Sequence, residues 1–299
     1  MDCISYINRK SGQRETEEVF AEGAIRLLYG KSLLSKTLGR AILHLFAKWP
    51  FFSAFYGWLQ DRAFSKRKVL PFIKRFAIDT SEFQAPAESF KTFNDFFIRK
   101  LKPEVRPLSS NPSMPADARY LFYPVIEETD TFPIKMRTFC LRSLLQDEEL
   151  ASRFSGGSLV IARLCPIDCH RFYFPFDCIP SKAREIRGRL YSVNPFATNE
   201  NPWIWQVNRR MLTILSSDTF GEVAYLEIGA TNVGTIVQTY QPAKFQPKGQ
   251  EKGYFAFGGS ALLLLFEKGR IKFDQDLINA TNQGLEIRCL IGQSLGTST

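Results

Sequence analysis

A serine follows two glycines at the start of an apolar run, in the stretch Gly253-Tyr254-Phe255-Ala256-Phe257-Gly258-Gly259-Ser260. The glycines allow strained or left-handed φ values and leave no Cβ to hinder attack on the carbonyl carbon of Gly259. The run that follows, residues 261–266, is typical of a buried strand. The pattern fits a serine nucleophile beside a pliable peptide bond, but on these residues alone a tight turn into a core strand is the favoured interpretation.

The Gly-Gly-Ser pattern alone does not identify Ser260 as a nucleophile, because Gly156-Gly157-Ser158 also precedes an apolar run. The other segments of the chain must therefore be considered. Three further stretches carry polar residues in unusual surroundings: Pro115-Ala116-Asp117-Ala118, the aromatic stretch 164–175 with Asp168, His170 and Tyr173, and the glycine-framed turn 229–234. Serine, histidine and aspartate on separate elements have the composition of a nucleophile, a base and an orienting group. Without the other segments, a lone His170 is better explained as a hydrogen-bonded core residue.

The cysteines do not predict a metal site or a disulfide framework. The six cysteines are scattered, and Cys165 and Cys169 lie beside His170 in a chain with only two histidines. No second ligand pair stands at zinc-finger spacing. We therefore expect neither a metal nor a separately bound cofactor.

The positive charge is concentrated in one segment. The net charge is +9, and between residues 23 and 78 there are eleven basic residues and one acid, Asp61. No uninterrupted apolar run reaches the roughly 18 residues of a membrane span, and the first ten residues lack the apolar core of a signal peptide. These features predict an intracellular protein.

The same segment has the pattern of a basic amphipathic helix. Leu34, Leu38, Ile42, Leu45 and Trp49 recur at helical spacing, aromatic residues continue after Pro50, and Lys66-Arg67-Lys68 follows. Basic charge combined with an aromatic face is typical of an interfacial helix at an anionic membrane surface. A helical hairpin packed on its own domain is the alternative. A nucleic-acid partner is not predicted, because no known binding motif accompanies the charge.

The predicted architecture is α+β, with an N-terminal amphipathic helical part, 1–107, and a mainly antiparallel β-rich part, 108–299. Residues 1–22 have the composition of a polar lead-in, and a helix near residues 93–102 should end at Pro103. Beyond the boundary one helix is predicted at 141–154. Strand-like runs lie at 158–164, 222–229, 234–241, 261–266, 270–274 and 286–292.

Taken in order, several motifs resemble the phosphatidylserine decarboxylase family, the pyruvoyl-dependent enzymes of phospholipid synthesis. The Gly-Gly-Ser variant is similar to the form found in chlamydiae and some other bacteria. The motifs are Phe96-Phe97-Ile98-Arg99-Lys100-Leu101-Lys102-Pro103 with Arg106-Pro107, Pro115-Ala116-Asp117, residues 162–172, 188–195 and 223–234, Lys252 to Ser260, and Gly292-Gln293-Ser294-Leu295-Gly296.

The resemblance implies a self-cleaving proenzyme. Ser260 would attack the carbonyl of Gly259, leaving a β-chain, 1–259, and an α-chain, 260–299, that begins with a pyruvoyl group. That carbonyl would form a Schiff base with phosphatidylserine, and loss of CO2 would give phosphatidylethanolamine. The two fragments would stay together as a heterodimer on the cytoplasmic face of the bacterial membrane. Relatives are often dimers, so the resemblance also allows further dimerisation.

The resemblance also assigns roles, with two departures. It implies that Asp117 is a charge relay and His170 a general acid/base, and it places the family's second histidine at Tyr173. A phenol has a reference pKa near 10, against about 6.5 for imidazole, and is a poor base at neutral pH. In addition, the usual Pro-Ala-Asp-Gly reads Pro115-Ala116-Asp117-Ala118, and alanine resists a positive φ.

We expect a working decarboxylase, because Ser260, Asp117 and His170 stand at family positions. A membrane-binding homologue that has lost self-processing and catalysis is the alternative. A serine hydrolase would use the same residue types, but the sequence lacks a Gly-x-Ser-x-Gly elbow.

Overall fold

The computed structural model describes residues 4–17, 55, 57–126, 140–198, 201, 203–230, 235–256, 258 and 260–299. The amphipathic helix predicted for residues 24–49 lies outside these ranges, as do the turn residues 231–234 and Gly259. In the part of the chain that the structure describes, no helix is both long enough and apolar enough to cross a membrane.

The described helices are short. They are α1 (Val69–Arg75), α2 (Phe93–Phe97), α3 (Leu141–Leu145), α4 (Glu148–Phe154), α5 (Pro195–Thr198), α6 (Ile204–Val207) and α7 (Gln275–Asn282). Short 3₁₀ turns at Ala63–Lys68, Thr80–Glu82, Ala87–Ser89 and Pro103–Val105 accompany them.

The strands carry most of the architecture. They are β1 (Ile4–Asn8), β2 (Arg14–Glu17), β3 (Ala118–Tyr123), β4 (Ser158–Leu164), β5 (Arg171–Tyr173), β6 (Ile179–Pro180), β7 (Arg184–Ile186), β8 (Arg210–Ser217), β9 (Gly221–Gly229), β10 (Ile236–Gln238), β11 (Glu251–Phe255), β12 (Ser260–Phe266), β13 (Ile271–Phe273), β14 (Glu286–Cys289) and β15 (Gly296–Ser298).

Among the described residues, ten strands form one sheet. The order is β2-β1-β14-β3-β4-β12-β9-β8-β6, and β7 also pairs with β8. Only the β1–β14 pairing is parallel, and the other pairings in this sheet are antiparallel. A second sheet has the order β10-β11-β5, and β13 pairs with β15. The α+β prediction is confirmed.

Both faces of the large sheet are covered, which explains why β12 is buried along its whole length. Alternate residues of a strand point to opposite faces. Leu262 and Leu264 accordingly enter one apolar core, and Leu263 and Leu265 enter the other. By this alternation Ser260 faces the same core as Leu262.

A third apolar cluster is largely aromatic and lies between α1 and α2. It includes Phe72, Phe83, Phe93, Phe96 and Phe97. The rings of Phe72 and Phe93 meet edge to face at a centroid distance of 5.3 Å. This arrangement is the one that aromatic quadrupoles favour. The cluster fixes α2, which precedes the motif Ile98-Arg99.

Three sequence predictions need correction. The polar lead-in is wrong over residues 4–17, where β1 and β2 form a hairpin that extends the large sheet. The helix predicted at 141–154 is two helices, because Gln146 adopts a φ of +47° and the Asp147 side chain caps the second helix by accepting from the Leu150 N–H. The helix near 93–102 is α2 alone and ends well before Pro103.

Besides β1 and β2, seven of the described strands were not predicted, namely β3, β5, β6, β7, β8, β11 and β15. Strands β3 and β8 are the longest of these together with β11, and the polar or basic residues among their apolar ones kept them from standing out as apolar runs. The proposed division of the chain stays a prediction. Strand β1 of the N-terminal part pairs with β14 of the C-terminal part. This pairing alone does not test the division into 1–107 and 108–299.

Candidate active site

Ser260 begins β12 and is completely buried. Its backbone is paired with Leu164 of β4 on one side and with Gly229 of β9 on the other. The hydroxyl oxygen of Ser260 has no hydrogen-bond partner among the described residues. A buried hydroxyl usually has a partner, because leaving it unpaired costs about 1–3 kcal/mol. An unpaired Oγ at this position is therefore a candidate for chemistry.

Gly258 shows why glycine precedes this serine. Its φ is +138°, a conformation that residues with a Cβ seldom adopt. Ser158, which follows the other Gly-Gly pair, differs from Ser260 in having a hydrogen-bond partner. Its hydroxyl donates to the carbonyl oxygen of Pro124 at 2.7 Å. Of the two Gly-Gly-Ser sequences, the one at Ser158 therefore fits the structural interpretation.

His170 is completely buried, and its ring lies against the ring of Phe97 with centroids 3.7 Å apart. Nδ1 lies 3.0 Å from the carbonyl oxygen of Asp168. Since a carbonyl can only accept, Nδ1 carries the proton and donates it. Burial lowers the pKa of His170 to about 3, although the bond to Asp168 opposes this. The imidazole is thus neutral at pH 7, and Nε2 has a free lone pair.

The Nε2 atom has no hydrogen-bond partner in the described ranges. Three neighbours hold the segment that carries it. The guanidinium of Arg99 donates to the carbonyl of Ile167 at 2.6 Å, and the Sγ of Cys169 lies 3.3 Å from the carbonyl of Arg99. Arg171 donates to the carbonyl of Ile98 at 2.8 Å. Ile98 and Arg99, which follow α2, therefore hold the chain in place on both sides of His170.

Ser260 and His170 lie where the same two pairs of strands are joined. Ser260 is the first residue of β12, and His170 is the last residue of the loop between β4 and β5. Strands β4 and β12 are paired at Leu164 and Ser260, and strands β5 and β11 are paired at Arg171 and Tyr254. The loop 165–170 leads from β4 to β5, and residues 256–259 connect β11 to β12 in the chain. In addition, the Phe255 N–H donates to the carbonyl of His170 at 2.9 Å. The fold thus places a buried neutral imidazole just before β5 and a buried hydroxyl without a described partner at the start of β12.

Asp117 is buried and firmly held. Its carboxylate receives hydrogen bonds from Arg106 at 2.7 and 3.0 Å and from the Ile291 N–H at 2.8 Å. Arg106 also binds Glu82 at 2.8 Å. Among the described contacts of Asp117 there is no hydrogen bond to His170 or Ser260. The structure therefore does not assemble a hydrogen-bonded Asp-His-Ser chain in this state.

The turn around Asp117 tolerates alanine at position 118. Ala118 is the first residue of β3, pairs with Cys289, and is not among the described residues with positive φ. The hydroxyl of Tyr120 fixes the turn by donating to the carbonyl of Ala116 at 2.6 Å. The concern that Ala118 would shift the turn is not supported, because this position is extended.

Tyr173 ends β5 and is partly buried. Its N–H donates to the carbonyl of Pro115 at 2.9 Å, so it adjoins the turn that carries Asp117. Burial raises the pKa of the Tyr173 phenol, which is accordingly protonated at neutral pH. The side chain can donate or accept a hydrogen bond, but it is a poor base.

The motifs did not show which residues contact the side chains of His170 and Asp117. Phe97 and Arg106 lie within the motifs, but their contacts with His170 and Asp117 are tertiary. A buried pair, Glu227 and Lys252, also lies within the motifs, but nothing in the sequence indicated that the two residues pair with each other. No group of three or more His, Cys, Asp or Glu side chains within the described ranges is arranged to hold a metal ion.

The chain resembles one protein family over most of its length. The family model described as phosphatidylserine decarboxylase matches residues 93–297. Proteins named phosphatidylserine decarboxylase proenzyme are similar along the whole chain. That of Chlamydia pneumoniae is 45% identical over 100% of this chain and 98% of its own, and that of Chlamydia felis is 45% identical over 100% and 99%. That of Chlamydia trachomatis is 42% identical over 97% and 96%. The chain therefore belongs to the phosphatidylserine decarboxylase family of enzymes.

Proposed function

We propose that this chain is a proenzyme that cleaves itself between Gly259 and Ser260 and then decarboxylates phosphatidylserine to phosphatidylethanolamine and CO2. Membership of the family supports the decarboxylation. The observation that carries the self-cleavage is the presence of two buried atoms without described partners, Ser260 Oγ at the start of β12 and His170 Nε2 at the end of the loop before β5.

His170 is the proposed base. The bond from Nδ1 to the Asp168 carbonyl leaves the lone pair on Nε2, and the low pKa keeps that lone pair free at pH 7. A base with so low a pKa holds a proton only briefly, so the proton transfer is slow. A slow transfer is sufficient for a reaction that each chain performs once.

The proposed cleavage balances without a cofactor. The Ser260 hydroxyl gives its proton to Nε2, and Oγ bonds to the carbonyl carbon of Gly259. The peptide C–N bond then breaks, the nitrogen takes the proton, and an ester remains. Loss of the Cα proton of Ser260 breaks the Cβ–Oγ bond, which releases Gly259 as a carboxylate and leaves dehydroalanine. Addition of water and loss of ammonia give the pyruvoyl group.

Asp117 is proposed to act as an electrostatic partner in this set. Its carboxylate is buried with Arg106 and stands in the turn whose Pro115 carbonyl binds the Tyr173 N–H. This position supports the charge-relay role that the family motif implies. A direct contact with His170 would need a rearrangement of the turn.

Residue 260 fits a covalently attached group. It is the first residue of a strand that is buried throughout. Its side-chain oxygen has no described partner, so converting the serine to a pyruvoyl group would leave no described hydrogen-bonding group unpaired. A pyruvoyl group there supplies an electrophilic carbonyl that binds an amine and accepts the electrons left when CO2 departs. His170 Nε2 is the proposed atom that takes up and returns a proton, and the Phe97 ring shields it from water.

Contact with an anionic membrane surface is also proposed, because the substrate is a lipid. Phe55, Trp58, Phe64 and Leu70 are each about half exposed, between 47% and 50%. Lys66 and Arg67, between Phe64 and Leu70, are also exposed. The guanidinium of Arg62 lies over the Trp58 ring, 3.9 Å from its centroid. Exposed apolar groups beside basic ones are typical of a peripheral membrane surface.

A non-catalytic membrane-binding homologue is the second candidate. The observation that favours it is the raised pKa of Tyr173, since the position of the family's second histidine then offers no base. In that case the chain would bind vesicles without being cleaved.

The two Gly-Gly-Ser sequences provide a matched test. Ser260→Ala should abolish chain cleavage and CO2 release, whereas Ser158→Ala, at the start of the paired strand β4, should cleave normally. Both variants should still bind phosphatidylserine vesicles. Full CO2 release by Ser260→Ala would overturn the proposal.

A further inference from the structure

Lys252 and Glu227 form an ion pair with no exposed side-chain surface. The ammonium nitrogen of Lys252 lies 2.5 Å from Oε1 of Glu227, and it also donates to Gln238 at 2.8 Å and to Thr213 at 3.0 Å. The other carboxylate oxygen of Glu227 accepts from the Gln238 amide at 3.0 Å. All three donors of the ammonium thus have partners, so the cluster is complete.

The pair joins the two sheets that carry the candidate active site. Glu227 is on β9, pairs with Leu262, and stands two residues before Gly229, the partner of Ser260. It therefore lies on the same face of the large sheet as Ser260. Lys252 is on β11, in the sheet whose Phe255 binds the carbonyl of His170. One ion pair thus connects the strand beside Ser260 to the strand beside His170.

Stability alone is a poor explanation for such a pair. Removing two charges from water costs several kcal/mol per ion, and well-packed apolar residues of similar size are often as stable. The rings of Tyr225 and Tyr240 lie within 5 Å of the Lys252 ammonium, at 4.8 and 4.9 Å, and would surround an apolar side chain equally well. The directional bonds do set the relative position of β9 and β11, which apolar contacts set less sharply.

We propose that Lys252 and Glu227 are positioning residues that keep His170 aligned with residue 260 after the chain has been cleaved. This inference rests on the proposed function. Before cleavage, residues 256–259 link β11 covalently to β12. After cleavage that link is gone, and β12 begins the α-chain. Both members of the pair belong to the β-chain, so their bond survives and continues to hold β11 against β9, the neighbour of β12.

The proposal predicts different effects on the rates of self-cleavage and of decarboxylation. If the pair only stabilised the fold, its loss would lower both rates together. Self-cleavage takes place while the covalent link is intact, so it should depend little on the pair. Decarboxylation takes place after the link is broken, so its kcat should depend on the pair. The KM for phosphatidylserine should not change, because the pair is enclosed between the sheets.

The experiment compares the parent chain with Lys252→Met, Glu227→Leu and the double variant. Cleavage is followed on a gel after in vitro synthesis, and CO2 release from phosphatidylserine vesicles is measured on the cleaved protein. The double variant should cleave within about 3-fold of the parent rate, while its kcat falls at least about ten-fold at unchanged KM, the scale expected when reacting groups are misplaced by a fraction of an ångström. Each single variant should be worse than the double variant, because it leaves one buried charge unpaired.

Thr213→Val keeps the proposal testable if the double variant does not fold. It removes one of the three partners of the ammonium at nearly constant volume. Its kcat should fall about 2- to 5-fold with normal cleavage, as expected for one lost hydrogen bond to a charged group that relaxes partly. Arg9→Met is the stability control, because Arg9 pairs with Asp274 and Asp276 and none of the three belongs to β9 or β11. This variant should lower the melting temperature without changing kcat.

Two results would overturn the inference. One is a double variant, or Thr213→Val, with the parent's kcat. The other is an equal loss of cleavage and decarboxylation in the double variant. A parent chain that never cleaves would contradict the proposed function itself and the inference with it, and the parent is therefore measured first.

Discussion

The imidazole of His170 lies almost parallel to the phenyl ring of Phe97, with 29° between the ring planes. The bond from Nδ1 to the Asp168 carbonyl fixes the ring edge, and the stacked phenyl fixes the ring plane. Together they determine where Nε2 points. The orientation of the proposed base therefore depends on a residue that carries no polar group.

Phe97→Leu should slow self-cleavage, because the smaller side chain leaves the imidazole free to tilt. We expect a decrease of about 10- to 100-fold, in line with the effect of misplacing a reacting group. Cleavage of freshly synthesised chain, followed over time on a gel, measures it. Phe154→Leu is the matched control, since Phe154 is equally buried but belongs to the core on the face of the large sheet opposite to Ser260. Equal rates for the two variants would contradict a role for Phe97 in orienting His170.

The low pKa of His170 predicts a dependence of stability on pH. In the unfolded chain histidine takes up a proton below its ordinary pKa of about 6.5, whereas folded His170 does so only near pH 3. Because the unfolded state binds the extra proton, the free energy of unfolding should fall as the pH is lowered from 7 to 5. The decrease due to His170 should be about 2 kcal/mol. The lowered pKa of Glu17, about 2, acts mainly below this window, between pH 4.5 and 2.

Urea unfolding at pH 7 and pH 5 measures this term. Ser260→Ala serves as the uncleaved background, and Ser260→Ala with His170→Gln removes the titrating group. The decrease should be about 2 kcal/mol smaller in the double variant. An identical decrease in both proteins would show that His170 is protonated normally in the folded state.

Tyr173 should not act as the base of self-cleavage, because burial raises the pKa of its phenol. Tyr173→Phe should therefore cleave within about 3-fold of the parent rate. Tyr173→His should cleave faster, because general-base catalysis is typically worth 10²- to 10⁴-fold. A Tyr173→Phe chain that stays uncut would mean that the phenol takes part in the reaction.

Electrostatic attraction should contribute to binding of anionic vesicles. Reversing the charges of Lys66, Arg67 and Lys68 should weaken binding to phosphatidylserine vesicles about 10- to 1,000-fold at low salt, since each basic residue near the surface contributes about 1 kcal/mol. Vesicle sedimentation measures the change. Reversal of Lys182, Lys244 and Lys268, which are exposed elsewhere, is the control. Equal binding by the two triple variants would favour internal packing of the basic segment.

Local sequence patterns predicted the strand that carries Ser260, because an apolar run depends on neighbouring residues. The chemistry proposed for Ser260 came from the family resemblance and stays a prediction. The run 261–266 is apolar throughout, and the observed strand is Ser260–Phe266. The polar residues at Asp117 and His170 stood out in the same way. Conformation at a single position was less accessible. Whether Ala118 needed a positive φ depended on the pairing of β3 with β14, which no local pattern shows.

Contacts between distant segments could not be predicted from one sequence. Arg106 binds Asp117, 11 positions away, and Glu82, 24 positions away beyond α2. Lys252 and Glu227 belong to strands of different sheets, 25 positions apart. In each strand the charged residue looks like a solvent-facing one, and only the stacking of the two sheets makes both buried.

The intact mass of the denatured protein tests the central claim most directly. The proposal predicts two fragments that divide between Gly259 and Ser260, the larger of 259 residues and the smaller of 40, with a blocked N-terminus that has lost the serine amine. Ser158→Ala should give the same fragments. A single chain of 299 residues after prolonged incubation would contradict self-cleavage and would leave the membrane-binding, non-catalytic homologue as the better interpretation.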